Sequence, residues 1–283
     1  MFNIVNQKES MDWSIKFVLQ SKKHSDLIEA IYFHREIPNS PSEGTICISS
    51  QVGCSLNCAF CETGKHGFKR NLTVNELKAE VDIVEDAIGR HKSLQITSYA
   101  LMGMGEPLLN LDNICDFYEY FIKKDNINVI SLATSGICEN IIKLAEMKKI
   151  NFDLFLSLHS PFEEQRQKLM PIAKKYTIME CFNACRYYAQ KKAQKVKINY
   201  LLLDEVNTSD SHINELIKII DKDMFKIQIL LYNQGENKIF ERPSDDKAIR
   251  IRNMLRDSGI ETNLIISKGR DVGGGCGQMS GKI

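Results

Sequence analysis

Residues 47–64 read CISSQVGCSLNCAFCETG, and within them Cys54, Cys58 and Cys61 form a C-x-x-x-C-x-x-C triplet. The triplet follows a β-rich run, GTICISSQ at 44–51, which places it in the loop after a strand. Three closely spaced thiolates suit iron–sulfur or zinc, because soft sulfur ligands select those centres. A structural zinc would normally take a fourth protein ligand. A four-iron cluster held by three cysteines instead keeps one iron open for a small molecule.

Upstream of the triplet, WSIKFVLQ (13–20) and LIEAIYF (27–33) are further short β-rich runs, separated from 44–51 by a stretch with Pro38, Pro41 and Gly44. Downstream the period changes. Apolar strands near 94–103, 128–134, 152–159, 195–203, 225–233 and 261–267 alternate with helical patterns. The first helix begins on a capping box, Thr73-Val74-Asn75-Glu76, after which Leu77, Val81, Val84 and Ile88 share one face. Strands alternating with helices predict an α/β fold with a parallel sheet, and six such units an open, partial (β/α)6 barrel rather than a closed eight-stranded one. A small N-terminal β extension over 1–43 and a core over 44–283 follow from this division. Chemistry in such folds gathers at the C-terminal ends of the strands.

Composition agrees with a folded α/β chain. Of 283 residues, 43% are hydrophobic and 26% charged, so disordered and collagen-like classes are excluded. Lys plus Arg exceed Asp plus Glu by 37 to 36, which by itself demands no polyanionic partner. No apolar run approaches the roughly 18 residues of a membrane helix, and MFNIVNQKES lacks a secretion signal. A cytoplasmic location is expected. Nine cysteines, an odd count without a secretion signal, argue for metal or redox chemistry over a disulfide scaffold.

Several other stretches carry chemical possibilities. MGMGEP at 102–107 ends the first core strand with two glycines that would let backbone approach a ligand, then a carboxylate able to meet an ammonium group. Cys181 and Cys185 share a helix face and, like Cys115 and Cys138, read as packing residues. RYYAQKKAQKVK at 186–197 interleaves basic residues with tyrosines; a solvated helix face accounts for it better than contacts to RNA.

The blocks CISSQVGCSLNCAFCETGKHGFKRNLTVNEL, MGMGEPLLNLDN, ATSG, SLHSPFEEQRQKLMPIAKKY and GGGCGQMSG, in this order over roughly residues 25 to 281, resemble the RlmN/Cfr family of radical S-adenosylmethionine (SAM) RNA adenine methyltransferases. GKHGFKRNLTV and SLHSP are at least as similar to the Cfr branch. The resemblance implies a [4Fe–4S] cluster on Cys54, Cys58 and Cys61 whose free iron chelates SAM. It implies SAM contacts from Gly105, Glu106, Ser135, Ser157, Leu158, His159 and Asn233. It further implies that Cys276 accepts a methyl group from one SAM and that a 5′-deoxyadenosyl radical from a second abstracts hydrogen from that methyl. The carbon radical then adds to C2 or C8 of adenine, carbons too electrophilic for polar methylation. Glu29 takes the proton from the adduct, and Cys47 releases it by forming a disulfide bond with Cys276.

Family members usually carry a separate N-terminal helical domain associated with grasping RNA, and its absence is expected here. Two further departures are the ending Asp271-Val272-Gly273-Gly274-Gly275-Cys276-Gly277-Gln278-Met279 and Asn233-Gln234 in place of a common Asn-Pro. The expected partners are an RNA substrate (rRNA or tRNA) and an electron donor such as flavodoxin or ferredoxin, for a monomeric enzyme. Two other readings stay open: the same chemistry on a different, non-rRNA or small-molecule substrate, and a non-catalytic iron–sulfur protein that binds or senses RNA, which would need Cys54, Cys58 and Cys61 but neither Cys47 nor Cys276.

Overall fold

The computed structural model describes residues 1–35, 43–89, 95–234, 239–275 and 277–280. It resolves into two compact units, one comprising Met1–Asn57, Cys61–Ala133 and Lys268–Ile283, the other Cys58–Phe60 and Thr134–Ser267.

The first unit opens with β1 (Phe2–Glu9), β2 (Ile15–Ser21), β3 (Leu27–Arg35) and β4 (Glu43–Ile48), each antiparallel to the one before. The short pair β5 (Gln51–Gly53) and β6 (Phe68–Asn71) follows, then α1 (Val74–Ile88), β7 (Gln95–Leu101), α2 (Leu111–Phe121) and β8 (Val129–Thr134). β4 pairs parallel with β7, and β7 parallel with β8, so β4 belongs to the antiparallel meander on one side and to the parallel set on the other. α1 starts at the predicted capping box: Thr73 Oγ1 accepts from Glu76 N, and Glu76 Oε2 accepts from Thr73 N at 3.0 Å. Its stripe of Leu77, Val81, Val84 and Ile88 is buried against the sheet.

β1 escaped the sequence reading. It is an edge strand whose side chains are mostly exposed beyond Phe2, so no apolar alternation advertises it. Its partner β2 supplies the buried residues Ile15, Phe17, Val18 and Leu19.

The second unit contains α3 (Cys138–Glu146), β9 (Asp153–Ser157), α4 (Glu163–Leu169), α5 (Ile178–Lys192), β10 (Val196–Leu202), α6 (Asp210–Ile219), β11 (Phe225–Leu231), α7 (Asp245–Asp257) and β12 (Thr262–Ile265). β9 to β12 form a parallel run in chain order. All six predicted core strands, β7 to β12, are present. Cys181 and Cys185 on α5 and Cys138 on α3 are buried, with the Cys138 and Cys181 sulfurs 3.8 Å apart, and serve packing as expected. The basic stretch after Arg186 is neutralised locally: Arg186 pairs with Asp221, Lys191 with Glu146, Lys195 with Glu261 and Lys197 with Asp153. Among the described residues no helix is long and apolar enough to cross a membrane.

Candidate active site

The cysteine loop is built by close backbone contacts. Gly53, at φ +74°, would place a Cβ 1.8 Å from the Gly67 carbonyl oxygen, so only glycine fits where β5 meets β6. Cys54 N then donates to that same oxygen at 2.9 Å. Burial pushes the Cys54 thiol up to about 12, reinforced by the nearby charges of Cys61 and Glu106. Cys54, Cys61 and Glu106 all belong to the first unit, and a buried thiolate there is favoured by a cation beside it. Cys58 and Phe60 count with the second unit, where they pack on a cluster of Leu169, Met170, Leu201, Leu203, Leu230 and Tyr232. Among the described residues no three His, Cys, Asp or Glu side chains stand within reach of one metal ion. The donor set fits a cluster in which each thiolate takes its own iron.

The glycines of MGMGEP also permit a close approach within the chain itself. A Cβ on Gly103 would lie 2.6 Å from the Ile48 carbonyl oxygen, and one on Gly105 (φ +100°) 2.5 Å from Gln51 Cβ. They let this turn close onto the chain's own residues 48–51, where Ser50 N donates to Met104 O at 2.8 Å and Glu106 N to Gln51 Oε1 at 2.9 Å. Glu106 is buried and caps the following turn by accepting from Leu108 N.

In the second unit His159 sits at the end of β9 with φ 59° and is 4% exposed. Its Nδ1 accepts from Leu201 N at 3.0 Å, and its ring stands edge-on to Phe60 at 4.8 Å between centroids. Burial, helped by the Arg166 charge, pushes its pKa down to about 3, so the ring is neutral and the proton is on Nε2. The sign follows from linkage: between pH 6.5 and 3 the unfolded chain binds the proton and the folded chain does not, so stability falls as pH falls through that window. About 2 kcal/mol is expected to be lost on this account between pH 7 and pH 5. Urea midpoints at the two pH values should converge in His159→Gln relative to the parent chain.

Arg166 on α4 is absent from the residues expected from sequence. It is fully buried and donates to the carbonyls of Ser135 (2.8 Å), Ser157 (3.4 Å) and Tyr176 (3.2 Å), fixing two of the predicted SAM-contact positions. Leu158 is buried, its N donating to Asn199 O. Asn233 Nδ2 donates to Ser267 Oγ at 3.0 Å, while Asn233 Oδ1 and Asn199 Oδ1 are buried with no hydrogen-bond partner among the described residues. Asn199 pairs with Ser157 in register and so shares its face of the sheet. Orphaned buried oxygens at two successive strands fit a polar ligand such as SAM.

A second group lies in the first unit. Ile31 on β3 pairs with Cys47 on β4, and Lys16 on β2 pairs with Ile31, so Lys16, Glu29, Ile31 and Cys47 occupy one face of the sheet. Cys276 lies outside the described residues, and with it the expected disulfide. Its neighbours are docked rather than loose: Lys16 Nζ donates to Gly273 O at 3.1 Å, Glu62 N to Gly277 O at 2.9 Å, and Thr63 Oγ1 to Met279 O at 2.8 Å. The glycine segment thus runs from the Glu29 face to the residues directly after Cys61.

Comparisons with known proteins agree with this layout. Residues 48–220 match the Radical SAM superfamily. The dual-specificity RNA methyltransferase RlmN of Vesicomyosocius okutanii subsp. Calyptogena okutanii (strain HA) is 34% identical over 99% of this chain and 78% of its own length. The enzyme of the same name from Ruthia magnifica subsp. Calyptogena magnifica is 35% identical over 100% of this chain and 79% of its own. The crystal structure of a radical SAM methyltransferase from Sphaerobacter thermophilus superposes with a TM-score of 0.91 at 30% identity, covering 99% of this chain and 82% of that one. Sequence similarity over nearly the whole chain and the shared α/β radical SAM fold lead to one conclusion: the chain belongs to the radical SAM superfamily and, within it, to the RlmN family of RNA methyltransferases.

Proposed function

We propose that this enzyme methylates a ring carbon of adenine, C2 or C8, in RNA, and that the methyl group travels on Cys276. When bound, a [4Fe–4S] cluster and SAM supply the methyl group and the 5′-deoxyadenosyl radical that activates it. Cys54, Cys58 and Cys61 hold the cluster. Gly105, Glu106, Ser135, Ser157, Leu158, His159 and Asn233 hold SAM, with Arg166 bracing the Ser135 and Ser157 backbone. Glu29 takes the proton from the attacked ring carbon, and the one excess electron of the radical adduct would return to the cluster. The Cys47 thiolate then attacks the Cys276 sulfur, the electron pair of the broken carbon–sulfur bond passing to the transferred carbon, which takes up a proton to become the product methyl group.

The observation that carries this reading is the shared sheet face. Proton acceptor (Glu29), resolving thiol (Cys47) and the docked flanks of the methyl carrier occur together, an arrangement that an iron–sulfur sensor has no use for. The division into a β extension over 1–43 and a core over 44–283, a monomeric state, a cytoplasmic location and reduction by flavodoxin or ferredoxin complete the proposal.

Anaerobically reconstituted protein, given RNA from a methylase-deficient strain, methyl-labelled SAM and a reductant, is expected to yield 2- or 8-methyladenosine on nucleoside mass spectrometry. Label confined to Cys276, with no modified nucleoside, would remove RNA as the substrate and leave the small-molecule reading. RNA retention is expected to fall by roughly tenfold or more between 50 and 200 mM salt if several phosphates are held.

A further inference from the structure

We infer that Lys16 is a positioning residue for the transfer reaction, its single ammonium holding both the Glu29 carboxylate and the backbone that leads to Cys276. Lys16 Nζ lies 2.9 Å from Glu29 Oε2 and 3.1 Å from Gly273 O. The Glu29 side chain is 0% exposed and that of Lys16 12%. One ammonium thus makes an ion pair with the Glu29 carboxylate and a hydrogen bond to the Gly273 carbonyl.

The register explains how Lys16 reaches them. Lys16 is opposite Ile31 and Glu29 opposite Val18, which makes Lys16 and Glu29 diagonal neighbours on one face, within reach of a long side chain. The glycine segment lies directly over that face. A Cβ on Gly274 would be 2.8 Å from Ile31 Cδ1 and 3.1 Å from Gly269 O. The segment is also clamped upstream, where Asp12 Oδ2 accepts from Gly269 N at 2.8 Å and Asp271 accepts from Ser10 Oγ and Met11 N. Those clamps suffice to dock residues 269–271. The Lys16 bridge adds what they do not, a fixed relation between Glu29 and the backbone three residues before Cys276. A buried ion pair is weak support for stability but can fix a specific arrangement, and displacement of reacting groups by about 1 Å is enough to slow a reaction by roughly 10²-fold.

The inference rests on the reading of Glu29 as proton acceptor, and the test separates the two. In reconstituted holoenzyme, Lys16→Met is expected to load methyl on Cys276 but to accumulate an RNA–protein adduct there, with product formation down by up to about 10²-fold. Amide hydrogen exchange over residues 273–275 should accelerate, and Lys16→Arg should restore both readouts. Glu29→Gln is expected to accumulate adduct more strongly, in line with the roughly 10²–10⁴-fold contribution of a general base, while exchange over 273–275 stays as in the parent. If Lys16→Met is too unstable to purify, Lys16→Met/Glu29→Gln leaves no unpaired buried charge and carries the exchange readout. Parent-like exchange in Lys16→Met or in Lys16→Met/Glu29→Gln, or adduct with Glu29→Gln but none with Lys16→Met, overturns the positioning role while leaving Glu29 in place. Normal turnover by Glu29→Gln overturns the Glu29 reading itself, and with it the carboxylate half of this inference.

Discussion

Reconstituted Cys58→Ala protein is expected to lack the brown cluster absorbance and to release no 5′-deoxyadenosine from SAM above background, while folding like the parent chain. The two halves of that expectation have separate grounds. Cys58 touches the apolar cluster around Leu169, Met170 and Leu201, so loss of one sulfur removes little packing, about 1 kcal/mol. Its chemical role has no substitute: Cys54 and Cys61 alone leave a second iron without a protein thiolate, and even the outer partners of metal ligands are worth roughly 10- to 100-fold. Iron and sulfide content, visible absorbance and 5′-deoxyadenosine yield measure the chemical half, and thermal unfolding of the apo-proteins measures the structural half. Reductive SAM cleavage by folded Cys58→Ala protein would show that the three-cysteine assignment is wrong.

How far the site could be read from sequence follows from the range of the forces that build it. The cysteine triplet is legible because its ligands lie within eight residues, and β7 to β12 because apolar strands alternate with amphipathic helices. The α1 start is legible for the same reason, since a capping box is a contact between residues three apart. β1 was not legible, because a mostly exposed edge strand lacks the apolar alternation that marks a buried one. Lys16 was not legible either: only strand register places it beside Glu29, and only the return of the chain near residue 273 gives its second partner. Arg166 sits in a polar run, EEQRQKL, that reads as a solvated helix, yet it is fully buried. The one local hint is its place one turn before the buried Leu169, on the inward face of α4. The glycines at 103 and 105 were legible as tight backbone but not as to what they approach, since the 48–51 segment they meet lies more than fifty residues away.

Replacing Cys47 with alanine is expected to convert the enzyme into a trap, with RNA held covalently through Cys276 and approaching one adduct per chain. On the proposed reaction the base becomes joined to the Cys276 sulfur through the transferred carbon, and that bond breaks only when a second thiol attacks the sulfur. Cys47 is the thiol on hand. It is 5% exposed on β4, opposite Ile31, on the sheet face over which the glycine segment is docked. The substitution removes one sulfur from a position framed by backbone pairing on both sides, so the sheet should survive with a cost of about 1 kcal/mol. Methyl loading of Cys276 and SAM cleavage should persist, because neither step needs the second thiol. A denaturation-resistant protein–RNA band that yields, after nuclease digestion, a nucleotide mass on the peptide containing Cys276 is the readout. Cys115→Ala, which alters a partly exposed cysteine on α2, is the control and should turn over normally. Equal adduct in the parent and in Cys47→Ala would take the resolving role away from Cys47; adduct in Cys47→Ala and Glu29→Gln but not in the parent would place both residues after the carbon–carbon bond has formed.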